Sequence, residues 1–195
     1  MKVIFLDNDG VICLANNWGG RSKKMQKYHK ANPEWDRMYK TAPIDVRFDD
    51  FDKKAVKVLN SILEETGAEI VVSSDWKKHA NLEELGDYYE SQGIIKRPIA
   101  FTPSFIGCDK PEGFEWFRPL QYEQERSLEI TQYVKDHPEI THWVAVDDLN
   151  MSVEVLDFSV PSTRVWGVTN FVLTPSSTEG IKQQGVKEKI LNFLR

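Results

Sequence analysis

Two carboxylates two residues apart, Asp7 and Asp9 in Asp-Asn-Asp-Gly-Val, follow directly on the apolar run Val3-Ile4-Phe5-Leu6. Along a strand, residues i and i+2 face the same side. Both acids are therefore expected to face one pocket beyond the strand's carboxyl end. Like charges this close repel unless a cation or a shared proton offsets them. An aspartate can attack phosphorus to give an acyl-phosphate, which splits a hard hydrolysis into two easier steps. A second carboxylate can protonate the leaving oxygen and then activate water. Asp7, first after the strand, suits the nucleophile, and Asp9 the acid/base. Gly10 lets the chain turn tightly and brings backbone N–H groups near phosphate oxygens. A second acidic pair, Asp147-Asp148, follows Trp143-Val-Ala-Val146. With Asp7 and the backbone carbonyl of Asp9 it would complete a hard-oxygen site of the kind Mg²⁺ takes, with few carboxylates, several waters and the substrate phosphate.

These acids need strands to carry them. The apolar runs are short and β-branched, and amphipathic stretches separate them. Val3–Leu6 reads as the first strand, Glu69–Ser73 as the second and Trp143–Val146 as the third, with Arg164–Val168 and Asn170–Leu173 as weaker candidates. Helical spacing of Ala55, Val58, Leu59, Ile62 and Leu63 predicts a helix from Phe51 to Thr66, stopped by Gly67. Leu128, Ile130, Tyr133 and Val134 predict another from Glu123 to His137, and a closing helix spans Gly185 to Leu194. Strands alternating with helices imply an α/β fold with a parallel sheet covered on both faces.

The chain of 195 residues carries a net charge of −5, so it is not a polyanion-binding surface as a whole, though a local basic patch fits. Its two cysteines, Cys13 and Cys108, lack metal-ligand spacing and suit a reduced, cytoplasmic setting. No signal-peptide pattern and no membrane-spanning stretch is expected. His29, His79, His137 and His142 are scattered without metal spacing. No phosphate loop of the Gly-x-x-x-x-Gly-Lys-Ser/Thr type is present.

Four segments together resemble the haloacid dehalogenase (HAD) superfamily of phosphohydrolases: Phe-Leu-Asp7-Asn-Asp9-Gly10-Val11, Val-Val-Ser73-Ser74-Asp75-Trp76, Arg126 at a helix start, and Trp-Val-Ala-Val-Asp147-Asp148. They occur in that family's order. The run Thr-Gly-Ala-Glu-Ile-Val-Val-Ser-Ser-Asp-Trp and the late Asn170-Phe-Val-Leu-Thr-Pro…Gly180 resemble the small HAD domains of RNA-repair proteins, and more distantly the phosphatase half of polynucleotide kinase-phosphatases. The resemblance implies a Rossmann-like three-layer sandwich with a parallel central sheet and a small cap. It implies Mg²⁺-dependent hydrolysis of a phosphomonoester through an aspartyl-phosphate on Asp7. Dehalogenases of the superfamily lack the second Asp and transport ATPases carry Thr there, so Asp9 favours a phosphatase. Ser73 and Ser74 offer hydroxyls to a phosphate oxygen, Ser73 fitting the family position better and Ser74 suiting a cap. Arg126 would supply fixed positive charge to the phosphate, with Lys110 and Arg118 as rivals. The family's register favours Asp148 as the direct metal ligand, with Asp147 orienting it.

Two stretches break the strand–helix rhythm, about 12–50 and about 76–122, and match nothing in the resemblance. We read the chain as one hydrolase domain with inserts there. The first contains Trp18-Gly-Gly-Arg21-Ser-Lys23-Lys24-Met-Gln-Lys27-Tyr28-His29-Lys30, basic and aromatic in an otherwise acidic chain. It is expected to form either a lid that tracks a phosphate backbone or a solvated amphipathic helix. A phosphorylated substrate, small molecule or nucleic-acid end, is the expected partner. A nucleotide or small metabolite is the alternative substrate, and a binding module without turnover the alternative class.

Overall fold

Val3 to Leu6 are all apolar, and neighbouring residues pack to opposite sides, the pattern of a strand covered on both faces. They form β1 (Lys2–Leu6) at the centre of a parallel sheet. The computed structural model describes residues 1–35, 38–104, 122–152 and 167–195. Within them β1 is followed by α1 (Gly20–Ala31), α2 (Ile44–Arg47), α3 (Lys53–Thr66), β2 (Glu69–Val72), α4 (Leu82–Ser91) and β3 (Pro98–Phe101). The remaining elements are α5 (Tyr122–Asp136), β4 (His142–Asp147), β5 (Phe171–Leu173) and α6 (Val186–Leu194). The sheet order is β3-β2-β1-β4-β5, with every pairing parallel. The chain runs outward from β1 to β3, then crosses back to β4 on the other side of β1. The point where the winding reverses lies between β1 and β4, and ligands of open α/β sheets bind beyond the strand ends there. The fold is thus the α/β, Rossmann-like parallel sheet expected.

Side chains on the two faces of the sheet make two cores. Ile4, Leu6, Ile70, Val72, Val144 and Val146 pack with α3, α4 and α6. Val3, Phe5, Val71 and Ala145 pack with Ile130 and Tyr133 of α5. Phe5 meets Tyr133 and Trp143 edge-on, each at 5.6 Å between ring centres.

Helix α3 starts two residues later than the apolar spacing suggests. The Asp52 side chain accepts from the N–H groups of Lys54 (2.9 Å) and Ala55 (2.8 Å), so it caps the helix and leaves Phe51 outside. Gly67 ends it at φ 69°, as expected. The stretch 76–122, set apart above as a break in the rhythm, keeps that rhythm in its first part. Leu85, Tyr88 and Tyr89 bury one face of α4, and a capping box between Asn81 and Glu84 opens it. Strand β3 begins with Pro98, which an edge strand tolerates at its first position. The segment from Gly20 is helical with no buried residue, so it stands on the surface. Most of the strand candidate Arg164–Val168, together with Lys110, Arg118 and Cys108, lies outside the described residues. Among the described residues, no helix is long and apolar enough to cross a membrane.

Candidate active site

Beyond Leu6 the backbone stays in the sheet for one more bond, the Asp7 N–H donating to the Val146 carbonyl at 3.1 Å. The Asn8 carbonyl then accepts from the N–H groups of Val11 (3.3 Å), Ile12 (3.0 Å) and Cys13 (2.8 Å), winding the chain into a tight loop. Tyr89 of α4 steadies it by donating its hydroxyl to Asn8 Oδ1 at 2.5 Å. Gly10 sits in this loop at φ 71°. A Cβ there would lie 2.1 Å from Asp148 Oδ2, so only glycine lets the two acidic segments meet. Thr174, just past β5, joins them as well. Its hydroxyl donates to the Gly10 carbonyl (3.3 Å) and its N–H to the Asp147 carbonyl (2.9 Å).

Asp7, Asp147 and Asp148 each offer a carboxylate oxygen, all within 4.8 Å of one another. Arg126, in the second turn of α5 and 11% exposed, reaches into the group. Its Nη1 donates to Asp147 Oδ2 at 2.7 Å and lies 3.3 Å from Asp7 Oδ1; its Nη2 is 3.8 Å from Asp75 Oδ1. Burial opposes the Arg126 charge, but Asp7 and Asp147 outweigh it and hold the guanidinium protonated. Arg126 does not neutralise the cluster. Burial first, and then Asp147, push the Asp7 carboxyl well above the usual range despite Arg126. Burial raises Asp147 to about 6 against the pull of Arg126. Asp148 is raised by burial as well. One cation against three clustered acids leaves surplus negative charge on hard oxygen donors, and that donor set fits a small divalent cation. Both oxygens of Asp147 are committed, Oδ2 to Arg126 and Oδ1 to the Leu149 N–H at 2.8 Å. Among the described residues no side chain donates to Asp148.

The Asp9 carboxylate stands apart from this group. Its Oδ2 accepts from the Trp76 indole N–H at 2.8 Å. Burial raises its pKa, and the indole bond partly offsets that. Ser73 and Ser74 follow β2, the Ser73 N–H donating to the Leu6 carbonyl at 2.9 Å. The Ser74 hydroxyl interacts with Asp7 and lowers its pKa somewhat, and it also receives a long bond from the Trp76 N–H (3.5 Å). Among the described residues the buried Ser73 hydroxyl has no partner. Asp7, Arg126, Asp147, Asp148, Gly10 and Ser74 are thus gathered beyond the carboxyl ends of the central strands with Asp9 close by, and Ser73 is buried beside them.

Four supporting contacts have no signal in the local sequence pattern. Trp76 follows a polar strand end directly, and its indole N–H must find a partner when buried. Lys77 pairs with Glu129 of α5 at 2.6 Å, both nearly buried, one turn along from Arg126. Asp49, buried, accepts from the Gly19 (3.2 Å) and Arg21 (2.5 Å) N–H groups and ties the start of α1 to the body. Lys24 also turns inward, to Asp50 at 2.5 Å and to the carbonyls of Asp45 and Phe48. It therefore leaves the exposed basic face to Lys23, Lys27 and Lys30.

No curated protein and no solved structure matches this chain. Residues 3–186 do match the family model described as the HAD domain in Swiss Army Knife RNA repair proteins. That span runs from β1 into the first residue of α6 and takes in every acid of the site. The chain belongs to this HAD family.

Proposed function

We propose that the protein is a Mg²⁺-dependent phosphomonoester hydrolase acting through an aspartyl-phosphate on Asp7. The observation that carries this reading is the division of labour between the two leading acids. Asp7 shares the Arg126 guanidinium and the metal-competent cluster, while Asp9 is turned to a separate donor. A pure binding site has no use for such a pair. Asp7, Asp148 and the Asp9 carbonyl would hold the cation. Bound there, Mg²⁺ would offset charge on the phosphate and favour in-line attack. Asp147, with both oxygens taken, orients Arg126. Arg126 would hold the phosphate oxygens, joined by the Ser73 or Ser74 hydroxyl and by N–H groups near Gly10.

In the first step an Asp7 oxygen attacks phosphorus, the bond to the leaving oxygen breaks, and the Asp9 proton passes to that oxygen. In the second, water attacks phosphorus, gives its proton to Asp9, and the Asp7–phosphorus bond breaks to release phosphate. Turnover of a colour-forming phosphomonoester with Mg²⁺, its loss in chelator and its loss in Asp7→Asn test this reading. Wild-type turnover in excess chelator would remove the metal from it.

The family's RNA-repair association and helix α1 favour a nucleic-acid end as substrate over a free nucleotide or metabolite. Helix α1 (Gly-Arg-Ser-Lys-Lys-Met-Gln-Lys-Tyr-His-Lys-Ala) holds no acid and buries nothing. Arg21 at its start is close enough to Asp9 to lower its pKa. A phosphorylated oligonucleotide is expected to bind more tightly than a mononucleotide. Lys23→Ala with Lys27→Ala should flatten the log–log salt slope by about 1.4, at about 0.7 per lost single-strand phosphate contact. Equal, salt-independent affinity for both ligands would favour the small-molecule reading.

A further inference from the structure

We infer that Trp76 is the residue that aims the proton of Asp9, a role that rests on the phosphatase reading above. The indole is 3% exposed. It packs against two phenyl rings, stacked on Phe48 at 4.1 Å and 12° and on Phe51 at 5.4 Å and 23°. Phe48 and Phe51 are themselves buried. The backbone of the same turn is closed by the His79 N–H donating to the Trp76 carbonyl at 2.9 Å. The next residue anchors it, because Lys77 Nζ reaches Glu129 (2.6 Å), Thr102 Oγ1 (2.9 Å) and the Pro103 carbonyl (3.0 Å). Ring and backbone are thus both fixed, and the N–H has one direction to point. It points at Asp9 Oδ2, 2.8 Å away.

An indole N–H donates and never accepts. An oxygen that receives it cannot also turn a carboxylic proton toward the ring. The carbonyl oxygen of a carboxyl accepts far better than its hydroxyl oxygen, so the indole bond on Oδ2 favours the form of protonated Asp9 that carries its proton on Oδ1. Among the described residues the Cys13 thiol also stands beside Asp9, and it donates to the Asp49 carbonyl at 3.8 Å. Trp76 so disfavours one of the two protonated forms of Asp9 and holds the carboxyl plane. In the first step Asp7 attacks phosphorus as the bond to the leaving oxygen breaks, and the Oδ1 proton moves to that oxygen. This leaves a free alcohol, an acyl-phosphate on Asp7 and an Asp9 carboxylate. In the second step water gives that proton back to Oδ1 as the Asp7 carboxylate is released.

Proton delivery matters most when the leaving oxygen is strongly basic. The test compares an alkyl phosphomonoester with an aryl one of weakly basic leaving group, for wild type and Trp76→Phe, which keeps the ring stack and deletes the N–H. Loss of aim in a general acid is expected to lower kcat on the alkyl ester by about tenfold or more, within the range such catalysis supplies. The aryl ester should change less than about threefold, with KM unchanged for both. Replacement of Trp76 by its benzothienyl analogue, a near-isostere lacking the N–H, repeats the comparison should Phe disturb the fold. Equal losses on both esters, or no loss on the alkyl ester, overturn the role. A wild type that hydrolyses neither ester overturns the phosphatase reading itself.

Discussion

The charge imbalance at the strand ends makes stability an assay of the site without any substrate. Burial raises the Asp147 carboxyl from an ordinary 3.8 to about 6 in the fold. A carboxyl with a higher pKa folded than unfolded takes up a proton on folding. It therefore favours the fold at low pH, and that contribution is lost as pH rises through the window from about 4 to about 6. At about 1.4 kcal/mol per pH unit separating the two pKa values, the whole loss is about 3 kcal/mol. About 2 kcal/mol of it falls between pH 4.5 and 7, which for a chain of this length moves Tm by about 4–8 °C. Asp7, Asp9 and Asp148 are raised too and act in the same sense. Asp52, Asp75 and Glu84 are lowered and act below that window. His79, lowered by burial, acts in the opposite sense within it. A comparison with Asp147→Asn cancels the groups that Asp147 does not touch; Asp7, which Asp147 helps raise, falls with it, so the expected gain of the variant is a lower bound. Denaturant unfolding of both proteins across pH 4.5 to 7 should show the variant gaining about 2 kcal/mol on the wild type, on top of a constant cost for the disturbed Arg126 and Leu149 bonds. Mg²⁺ should stabilise the wild type more at pH 7 than at pH 5, because its ligands must be ionised. A difference between the two proteins that does not change with pH would refute the electrostatic reasoning.

Two substitutions probe how the cluster is held. Arg126→Ala should lower kcat on every phosphomonoester by about a hundredfold or more, as for the loss of a donor aimed at developing charge. It should also destabilise the metal-free protein at neutral pH by about 3–5 kcal/mol, since Asp7 and Asp147 lose their buried partner; Mg²⁺ titrated into a thermal melt should recover part of that. Gly10→Ala forces a Cβ against Asp148 at a positive φ. It should cost about 1–2 kcal/mol in backbone strain alone and displace Asp148, so that Mg²⁺ affinity in calorimetry falls together with activity.

The strands and their acids were legible because parallel, doubly covered strands are short apolar runs, and catalytic acids sit where such runs stop. Helix α4 and strand β3 were less so. Helix α4 is only Leu82–Ser91, and β3 is a four-residue edge strand opening with proline. The Asn81–Glu84 capping box was nevertheless a readable start signal. The acids' partners were harder. That Arg126 meets Asp7, or that Trp76 meets Asp9 across 67 positions of chain, depends on how β2 and α5 pack against β1. No local pattern carries that. Lys24 shows the reverse error, since a basic run looks uniformly solvated until the fold turns one of its lysines onto Asp50. Of the two serines, the family position favoured Ser73 as the hydroxyl offered to a phosphate oxygen, whereas the fold brings Ser74 to Asp7 and buries the Ser73 hydroxyl.

The central claim is covalent chemistry on Asp7, and trapping it is the most direct measurement. The wild type is mixed with Mg²⁺ and excess aryl phosphomonoester, quenched in acid within the first turnovers, reduced with borohydride and mapped by mass spectrometry. An acyl-phosphate reduces to the alcohol, so residue 7 should appear as homoserine, and Asp9, Asp147 and Asp148 should remain unmodified. Asp7→Asn should show neither label nor turnover. Wild-type turnover with residue 7 unlabelled, together with undiminished turnover in Asp7→Asn, would contradict the account.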